Sequence, residues 1–480
     1  MRNHQPDFWH NLRQELTLGR LWVDRAIVMC YAAAAGLAVV GFTILTQWAD
    51  AAFQALRGFS VWSPLVWTPA LTAGIVWFTR RFAGGASGSG IPQVMAAMDP
   101  MLPVTRRAAF VSLKLALHKV ALTSAGVLAG LSLGREGPSV QVAAGVLHHA
   151  RHWLSEHTSI RPHDLLTAGG AAGIAAAFNT PLAGVVFAIE ELTRGREHRN
   201  TALVVAAIVL AGLMAVSSFG NNAYFGRLIV QSLSWDLLIP GLLVVGVSGV
   251  SGGLFSRLLA LSLRGVPDRA SALRRAHPIV FAAACGFLVA LIGLVSHGVV
   301  FGAGYHATRN LLEGLGSGEY VPGIYTLLKF IATWLTTWSG VPGGIFAPSL
   351  AIGAGIGHDV AVLTGKAGTV PLIALGMVGF LAAVTQAPIT AFIIVMEMVD
   401  GHAMVLSLMA TALVASGVSR LVARPLYPTL AEMMLARVLP SGAASPTAAP
   451  APARDQDSQA PPGEGRDTTA SGDDRSPSRS

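Results

Sequence analysis

The sequence GREGPS at residues 134–139 sets a glutamate beside a proline that suits the first turn of a helix. Two related turns, GSGIPQ at 88–93 and GGIFAPS at 343–349, also combine glycine with proline. A helix N-terminus leaves backbone N–H groups without acceptors and carries the positive end of the helix dipole. In an apolar chain, where water supplies no acceptor, such an end can receive an anion. Three such turns predict a path for anions.

The composition around these turns is that of an integral membrane protein. Hydrophobic residues make up 52% of the 480 positions, charged residues make up only 12%, and the mean hydropathy is +0.56. Apolar runs recur at roughly 26–47, 61–78, 108–133, 166–192, 202–219, 237–263, 278–301, 324–338, 345–365, 370–399 and 403–423. Because backbone groups in a bilayer need internal partners, these runs predict an all-α protein with helices broken by Gly and Pro.

An internal repeat divides the apolar part of the chain. Pro181 and Glu190 recur as Pro388 and Glu397, each 207 residues later, and the GREGPS turn recurs as GGIFAPS at an offset of 210. We therefore expect two halves, residues 25–220 and residues 221–440, with the same order of elements. Transporters often place a site between two inverted halves, but the offset alone leaves parallel and inverted arrangements open.

Both ends of the chain are expected to lie outside the membrane. In residues 1–24, Phe8, Leu12 and Leu16 recur every four residues, which fits either an amphipathic helix at the membrane surface or a frayed tail. Residues 441–480 are rich in Ala, Pro, Ser and Asp, too polar to bury a core. They predict a disordered cytoplasmic tail.

The basic residues lie at the predicted membrane edges. The formal net charge is +8, Arg20 and Arg25 precede the first apolar run, Arg264 and Arg275 share one loop, and Arg424 follows the last run. By the positive-inside rule, both termini and that loop are cytoplasmic. A nucleic-acid partner is not expected, because the sequence has no basic helix or aromatic-interleaved basic strand. Arg outnumbers Lys 29 to 4, which suggests a GC-rich bacterial genome and hence a bacterial inner membrane.

The sequence offers no constellation for catalysis or metal binding. Cys30 and Cys285 are isolated, and the adjacent His148 and His149 have the wrong spacing for joint metal binding on a helix. HExxH is absent, and no Ser or Cys lies near a paired base at recognisable spacing. We therefore expect no enzyme, no metal and no cofactor.

The first-turn glutamate, Glu136, admits two interpretations. It is either a cap that satisfies free amides, or a gate that competes with an anion when ionised and swings away when protonated. Its neighbour Arg135 either draws anions toward the entrance or snorkels to the interface. The turn at 343–349 has no side-chain acceptor, so its amides need another partner, and a desolvated halide would serve. In GSGIPQ, Ser89 is either part of a plain turn or a hydroxyl donor to an anion.

These three turns, in this order and spacing, resemble those of the CLC family of chloride channels and chloride/proton antiporters. The resemblance runs over roughly residues 25–437. It implies a homodimer with one pore per subunit, two inverted halves of tilted, broken helices, and a central anion site. It also implies that chloride and protons are the transported partners, within a lipid bilayer.

Carried over to this sequence, the resemblance implies that Ser89, the backbone amides of Ile345 and Phe346, and Tyr427 bind the central chloride. It makes Glu136 the external gating glutamate. Considered alone, Tyr427 in RPLY at 424–427 would be an interfacial anchor. Nitrate-preferring relatives carry Pro in place of Ser89, so this serine indicates chloride.

The resemblance also separates exchange from passive flow. Glu191 matches the intracellular glutamate that transfers protons in the antiporters, whereas the adjacent Glu190 is expected to make a structural contact; two solvated carboxylates at a helix end are the alternative. Lys119 matches a buried basic position that offsets the negative ions. Gln93 departs from the family pattern, since many relatives have an acid there. We therefore predict chloride/proton antiport, with a passive proton-gated chloride channel as the alternative.

Overall fold

The computed structural model describes residues 19–193, 200–220, 225, 235–313, 324–366 and 370–439. The predicted amphipathic segment lies mostly, and the predicted tail wholly, outside the described residues. The described chain contains helices and turns but no extended strand, with two isolated β-bridges. The all-α prediction is therefore confirmed.

The helices fall into two series along the chain. The first series is α1 Gly19–Phe59, α2 Pro64–Phe82, α3 Ile91–Met98, α4 Leu113–Leu128, α5 Glu136–His149, α6 Pro162–Phe178, α7 Pro181–Phe187 and α8 Thr201–Phe219. The second series is α9 Leu238–Arg264, α10 Arg269–Ala276, α11 Pro278–Val295, α12 Tyr305–Leu312, α13 Ile324–Ser339, α14 Phe346–Leu363, α15 Val370–Thr385, α16 Pro388–Met398, α17 Val405–Val422 and α18 Leu426–Val438. A π-helical turn, Ala188–Thr193, continues α7.

Several helices have the length and composition of membrane spans. Within the described residues, seven helical stretches are long and apolar enough to cross a bilayer. They are Gly19–Phe59, Val104–Leu128, Thr201–Phe219, Trp235–Arg264, Pro278–Val295, Phe346–Leu363 and His402–Val422. This agrees with the prediction of a multi-pass membrane protein.

Two apolar runs that read as continuous in the sequence are each two helices. The run 166–192 breaks between α6 and α7, where Asn179 has a φ of 59°, and the run 370–399 breaks between α15 and α16, where Gln386 has a φ of 57°. A proline begins the helix after each break, at Pro181 and Pro388. A left-handed residue followed by a helix-starting proline redirects the chain in both halves at the same repeat position.

Reciprocal contacts tie the two halves together at these breaks. The backbone N–H groups of Ile389 and Thr390, at the start of α16, donate to the carboxylate of Glu190 at 3.0 and 2.6 Å. The backbone N–H of Ala183, at the start of α7, donates to Glu397 Oε2 at 3.1 Å. Each of these two glutamates thus caps the helix that carries its repeat equivalent, so the contacts are reciprocal. Glu190 therefore makes a structural contact, as the sequence suggested.

Two buried lysines, Lys119 and Lys329, also make equivalent contacts in the first and second series of helices. Lys119 Nζ donates to the carbonyl oxygen of Gly88 at 2.5 Å, and Lys329 Nζ donates to that of Gly302 at 2.7 Å. Each ammonium also binds the carbonyl two residues earlier in the chain, at 2.7 and 2.8 Å. Glycine turns at 88–91 and 302–305 are therefore equivalent, and each opens a helix of eight residues.

The helices that begin at the predicted anion turns lie in the centre of the protein. In α5 every residue from Glu136 to His148 is buried, and in α14 every residue from Phe346 to Gly357 is buried. Both helices therefore start inside the core rather than at a membrane surface. Their first amides have no access to bulk water, which is the condition that the sequence argument requires.

Close helix crossings support this central position. Gly353 in α14 and Gly376 in α15 face each other, and a Cβ added to either would overlap the carbonyl oxygen of the other. By contrast, a Cβ added to Gly417 in α17 would have no heavy atom within 4 Å. The α14–α15 contact thus depends on small residues that let the two backbones approach.

We predict that Gly376→Ala lowers the thermal unfolding midpoint by several degrees in detergent, because overpacking costs about 1–3 kcal/mol. Gly417→Ala is the matched control and should unfold at the temperature of the unmodified protein. The midpoints can be measured by tryptophan fluorescence during heating. Equal midpoints for the two variants would contradict the tight crossing.

Candidate functional site

The structure joins the three glycine turns by backbone hydrogen bonds. Gly134 and Gly344 exchange two bonds, each 2.7 Å long, and Gly343 N–H donates to the carbonyl oxygen of Gly88 at 3.1 Å. Turns that are more than 200 residues apart in sequence are therefore neighbours. The three turns that the sequence singled out thus lie together in the structure.

The first turns of the two central helices lie at this junction. The first hydrogen bonds that begin their ladders run from Ser139 N to Arg135 O and from Ser349 N to Ile345 O, at 2.8 and 2.9 Å. The amides of Ile345 and Phe346 therefore precede the ladder of α14. With the dipole of an 18-residue helix behind them, they can donate to an anion.

Two buried hydroxyl groups lie at the same place. Ser89 and Tyr427 are 8% and 0% exposed, and neither hydroxyl has a hydrogen-bond partner among the described residues. The Tyr427 ring stacks on that of Phe346, with centroids 5.9 Å apart and an interplanar angle of 8°. Buried hydroxyls are rarely left unsatisfied, so these two indicate a ligand or an ordered water.

The start of α5 closes one side of this site. A Cβ added to Gly137 would overlap Ser89 Oγ, and a Cβ added to Gly90 would overlap the carbonyl oxygen of Gly137. Gly90 also has a φ of 111°, which a side chain would strain. The glycines thus allow two backbones to approach Ser89 directly.

Glu136 is fully buried at this junction. Its Oε1 accepts a hydrogen bond from the hydroxyl of Tyr305, and its Oε2 lies against Gly134, where an added Cβ would overlap it. In the described part of the chain no backbone amide donates to this carboxylate. The geometry therefore differs from a simple helix cap and leaves Oε2 beside the anion turn.

Arg135 is buried rather than extended to an interface. The side chain is 6% exposed, Nη1 lies 3.4 Å from Thr46 Oγ1, and Cζ lies 5.5 Å from the centre of the Tyr305 ring. Snorkelling, one of the two interpretations from the sequence, is therefore not observed. The guanidinium instead provides positive charge beside the Glu136 turn.

Two further predicted groups approach the site from other sides. Glu191, in the π-helical turn after α7, is 3% exposed. Glu191 also lines a cavity of about 500 Å³ together with Glu190, Gln386, Arg420, Ala423, Arg424 and Pro425. Lys119 donates to the carbonyl oxygens of Ala86 and Gly88, at the glycine turn that carries Ser89.

Gln93 is adapted to the turn in a way that an acid would not be. Its Oε1 accepts from the N–H of Gly90 at 2.9 Å, and its Nε2 donates to the carbonyl oxygen of Ser87 at 2.5 Å. A carboxylate could make the first bond but has no donor for the second. This departure from the family pattern is therefore compatible with the turn.

Tyr305 was not among the residues predicted from the sequence. It opens α12 after GAG at 302–304, a turn without proline, and it is partly buried. The only local signal in the sequence is the pair of glycines, Gly302 and Gly304, which both have a positive φ in the structure. Its contact with Glu136 spans 169 residues, so only the tertiary structure reveals it.

Comparisons with known proteins agree with this geometry. The model of the voltage gated chloride channel family matches residues 71–420. An H(+)/Cl(-) exchange transporter ClcA from Cronobacter sakazakii is 32% identical over 432 residues, covering 84% of this chain and 88% of that protein. The transporter of the same name from Vibrio parahaemolyticus is 31% identical over 393 residues, covering 78% and 80% of the two chains.

Solved structures share the architecture. A slow cyanobacterial Cl-/H+ antiporter has a TM-score of 0.71 at 25% identity, covering 86% of this chain and 98% of that one. A CLC-type fluoride/proton antiporter, at 21% identity and a TM-score of 0.68, has the same fold over 85% and 98% of the two chains. The family match includes α3 to α6, α12 and α14, which carry the converging turns. The chain is therefore a member of the voltage-gated chloride channel (CLC) family.

Proposed function

We propose that this protein is a secondary active transporter that exchanges chloride for protons across the membrane. The observation that carries the proposal is the junction of Ser89, Tyr427 and the first amides of α14 with the carboxylate of Glu136. A second buried carboxylate, Glu191, lines a cavity. The relatives described above are named as exchangers of the same two ions. Their names support antiport over a passive channel.

Chloride would be held by donors that carry no full charge. The hydroxyls of Ser89 and Tyr427 and the amides of Ile345 and Phe346 are all donors, and they lie where the helix dipole is positive. Neutral donors replace part of the hydration shell without binding the ion too tightly to release it. Lys119 and Arg135 add positive potential but donate to protein groups in the structure.

Glu136 would act as the external gate and proton carrier. As a carboxylate, it resembles the permeant anion in charge and occupies space beside the turn that Gly134 leaves open. Protonation removes this charge, so the side chain no longer competes with chloride and can move away. Chloride entry and proton uptake are thereby linked at one side chain.

Glu191 would transfer protons on the intracellular side. Its carboxylate lines the 500 Å³ cavity, through which intracellular protons would reach it. Water would carry protons across the gap between Glu191 and Glu136. Arg420 and Arg424 line the same cavity and would attract chloride to it.

The setting of this activity is also proposed. We place the protein in a bacterial inner membrane as a homodimer with one pore per subunit, inverted halves at 25–220 and 221–440, and both termini cytoplasmic. Leu117, Leu406 and Leu421 are 72–88% exposed, and a bilayer would cover such apolar faces. No enzymatic activity or cofactor forms part of the proposal.

We predict that Glu191→Ala abolishes proton transport but keeps chloride flux, because the proton donor is lost while the anion site stays intact. Glu136→Ala should leave a proton-independent chloride leak, because the gate is gone. Both can be measured in proteoliposomes under a chloride gradient, with chloride electrodes and external pH recorded together. The exposed Glu156→Ala is the matched control and should exchange normally.

Two results would contradict this assignment. Loss of both fluxes in Glu191→Ala would mean that this carboxylate is needed for the anion path itself. Chloride flow without linked proton movement in the unmodified protein would instead support a passive channel.

We predict that Ser89→Ala and Tyr427→Phe each weaken chloride binding about ten- to 150-fold, since one hydrogen bond to a charged group contributes about 1.5–3 kcal/mol net. Isothermal titration of the purified protein with chloride measures the affinity. Ser251→Ala is the control, because that hydroxyl bonds to the carbonyl of Val247 in its own helix. Unchanged affinity in both site variants would place the anion elsewhere.

A further inference from the structure

A fourth glycine turn lies opposite the three that the sequence identifies. Residues 302–305, GAGY, correspond to residues 88–91, GSGI, through the equivalent lysine contacts of Lys119 and Lys329. In this correspondence Ala303 takes the place of Ser89, and Tyr305 takes the place of Ile91. The turn at 302–305 therefore has no hydroxyl between its two glycines, where the turn at 88–91 has Ser89. It carries the hydroxyl of Tyr305 instead, on the first residue of α12.

The Tyr305 side chain is fixed by several elements. Its hydroxyl donates to Glu136 Oε1 at the start of α5. Its ring lies under the guanidinium of Arg135, 5.5 Å from Cζ, and 6.1 Å from the ring of Phe225. Phe225 is in turn held by a backbone bond to Met398 at the end of α16. The hydroxyl is thus delivered to the carboxylate by a ring that cannot move freely.

We propose that Tyr305 is a positioning residue that holds the ionised Glu136 carboxylate in the anion path. The inference rests on the proposed role of Glu136 as the gate. A hydrogen bond donated to a carboxylate stabilises the charged group, and Arg135 over the ring adds favourable charge nearby. The other oxygen, Oε2, remains beside Gly134 and the anion turn.

This arrangement sets how strongly the gate competes with chloride. Glu136 and chloride are alternative anions for one positive region, so any contact that holds the carboxylate there weakens chloride binding by linkage. The Tyr427 ring stacks on Phe346, whose amide is a predicted chloride ligand, whereas the Tyr305 hydroxyl donates to the gate. The two tyrosines therefore have opposite effects, since one binds the ion and the other holds its competitor.

Tyr305→Phe tests the inference, because it removes the hydroxyl and keeps the ring against Arg135 and Phe225. We expect chloride to bind about three- to tenfold more tightly in isothermal titration of the purified full-length protein. In proteoliposomes we expect a larger proton-independent chloride flux and fewer protons moved per chloride. Tyr31→Phe is the matched control, since that ring lies 6.1 Å from His149 and away from the gate; it should change neither quantity.

The same measurements in a Glu136→Ala background separate positioning from a general structural effect. If Tyr305 acts through the gate, Tyr305→Phe changes neither affinity nor flux once the carboxylate is absent. Equal effects in both backgrounds, or no effect in either, would overturn the inference.

If Glu136→Ala alone leaves coupling unchanged, the proposed gate fails instead, so the two failures are distinguishable. If Tyr305→Phe does not fold, Tyr305→Trp, which keeps an aromatic ring and an N–H donor, should retain the coupling ratio; loss of coupling in that folded variant would also overturn it.

Discussion

The structure depends on helices that begin inside an apolar core. The N-termini of α5 and α14 are buried among residues that cannot be hydrated from bulk water, yet their first amides need acceptors. The protein brings these ends together by pairing Gly134 with Gly344. The positive ends of two helix dipoles therefore face one small volume. Whatever fills that volume must be negative or able to accept hydrogen bonds.

The sequence predicted the parts of this arrangement that are local. Gly and Pro mark helix starts, apolar runs mark spans, and repeat spacing marks equivalent positions, so the three turns could be identified before any contact was known. The breaks in these runs could be predicted from Pro181 and Pro388, but the left-handed residues before them, Asn179 and Gln386, could not. A left-handed residue redirects a helix without changing its hydrophobicity, so composition alone does not reveal it.

The contacts that give each carboxylate its role are not local. Glu190 binds amides about 200 residues away, and Glu136 meets Tyr305 across 169 residues. Tyr305 follows a turn without proline, so no helix-start pattern identified it. Such contacts arise from the way the two halves pack, and periodicity in one segment cannot specify them. The three turns could therefore be identified from the sequence, but the full set of groups around Glu136 could not.

A comparison of Glu136, Glu190 and Glu397 shows why this distinction matters for function. Glu190 and Glu397 each accept backbone hydrogen bonds at the start of a helix in the opposite half, so their charge is satisfied by the fold. Glu136 receives its hydrogen bond from a tyrosine hydroxyl instead. A side-chain donor can be released without unwinding a helix, whereas a capped helix start loses stability when its acceptor leaves. Movement is therefore easier for Glu136 than for Glu190 or Glu397, and only a carboxylate that can move while the helices stay intact can serve as a gate.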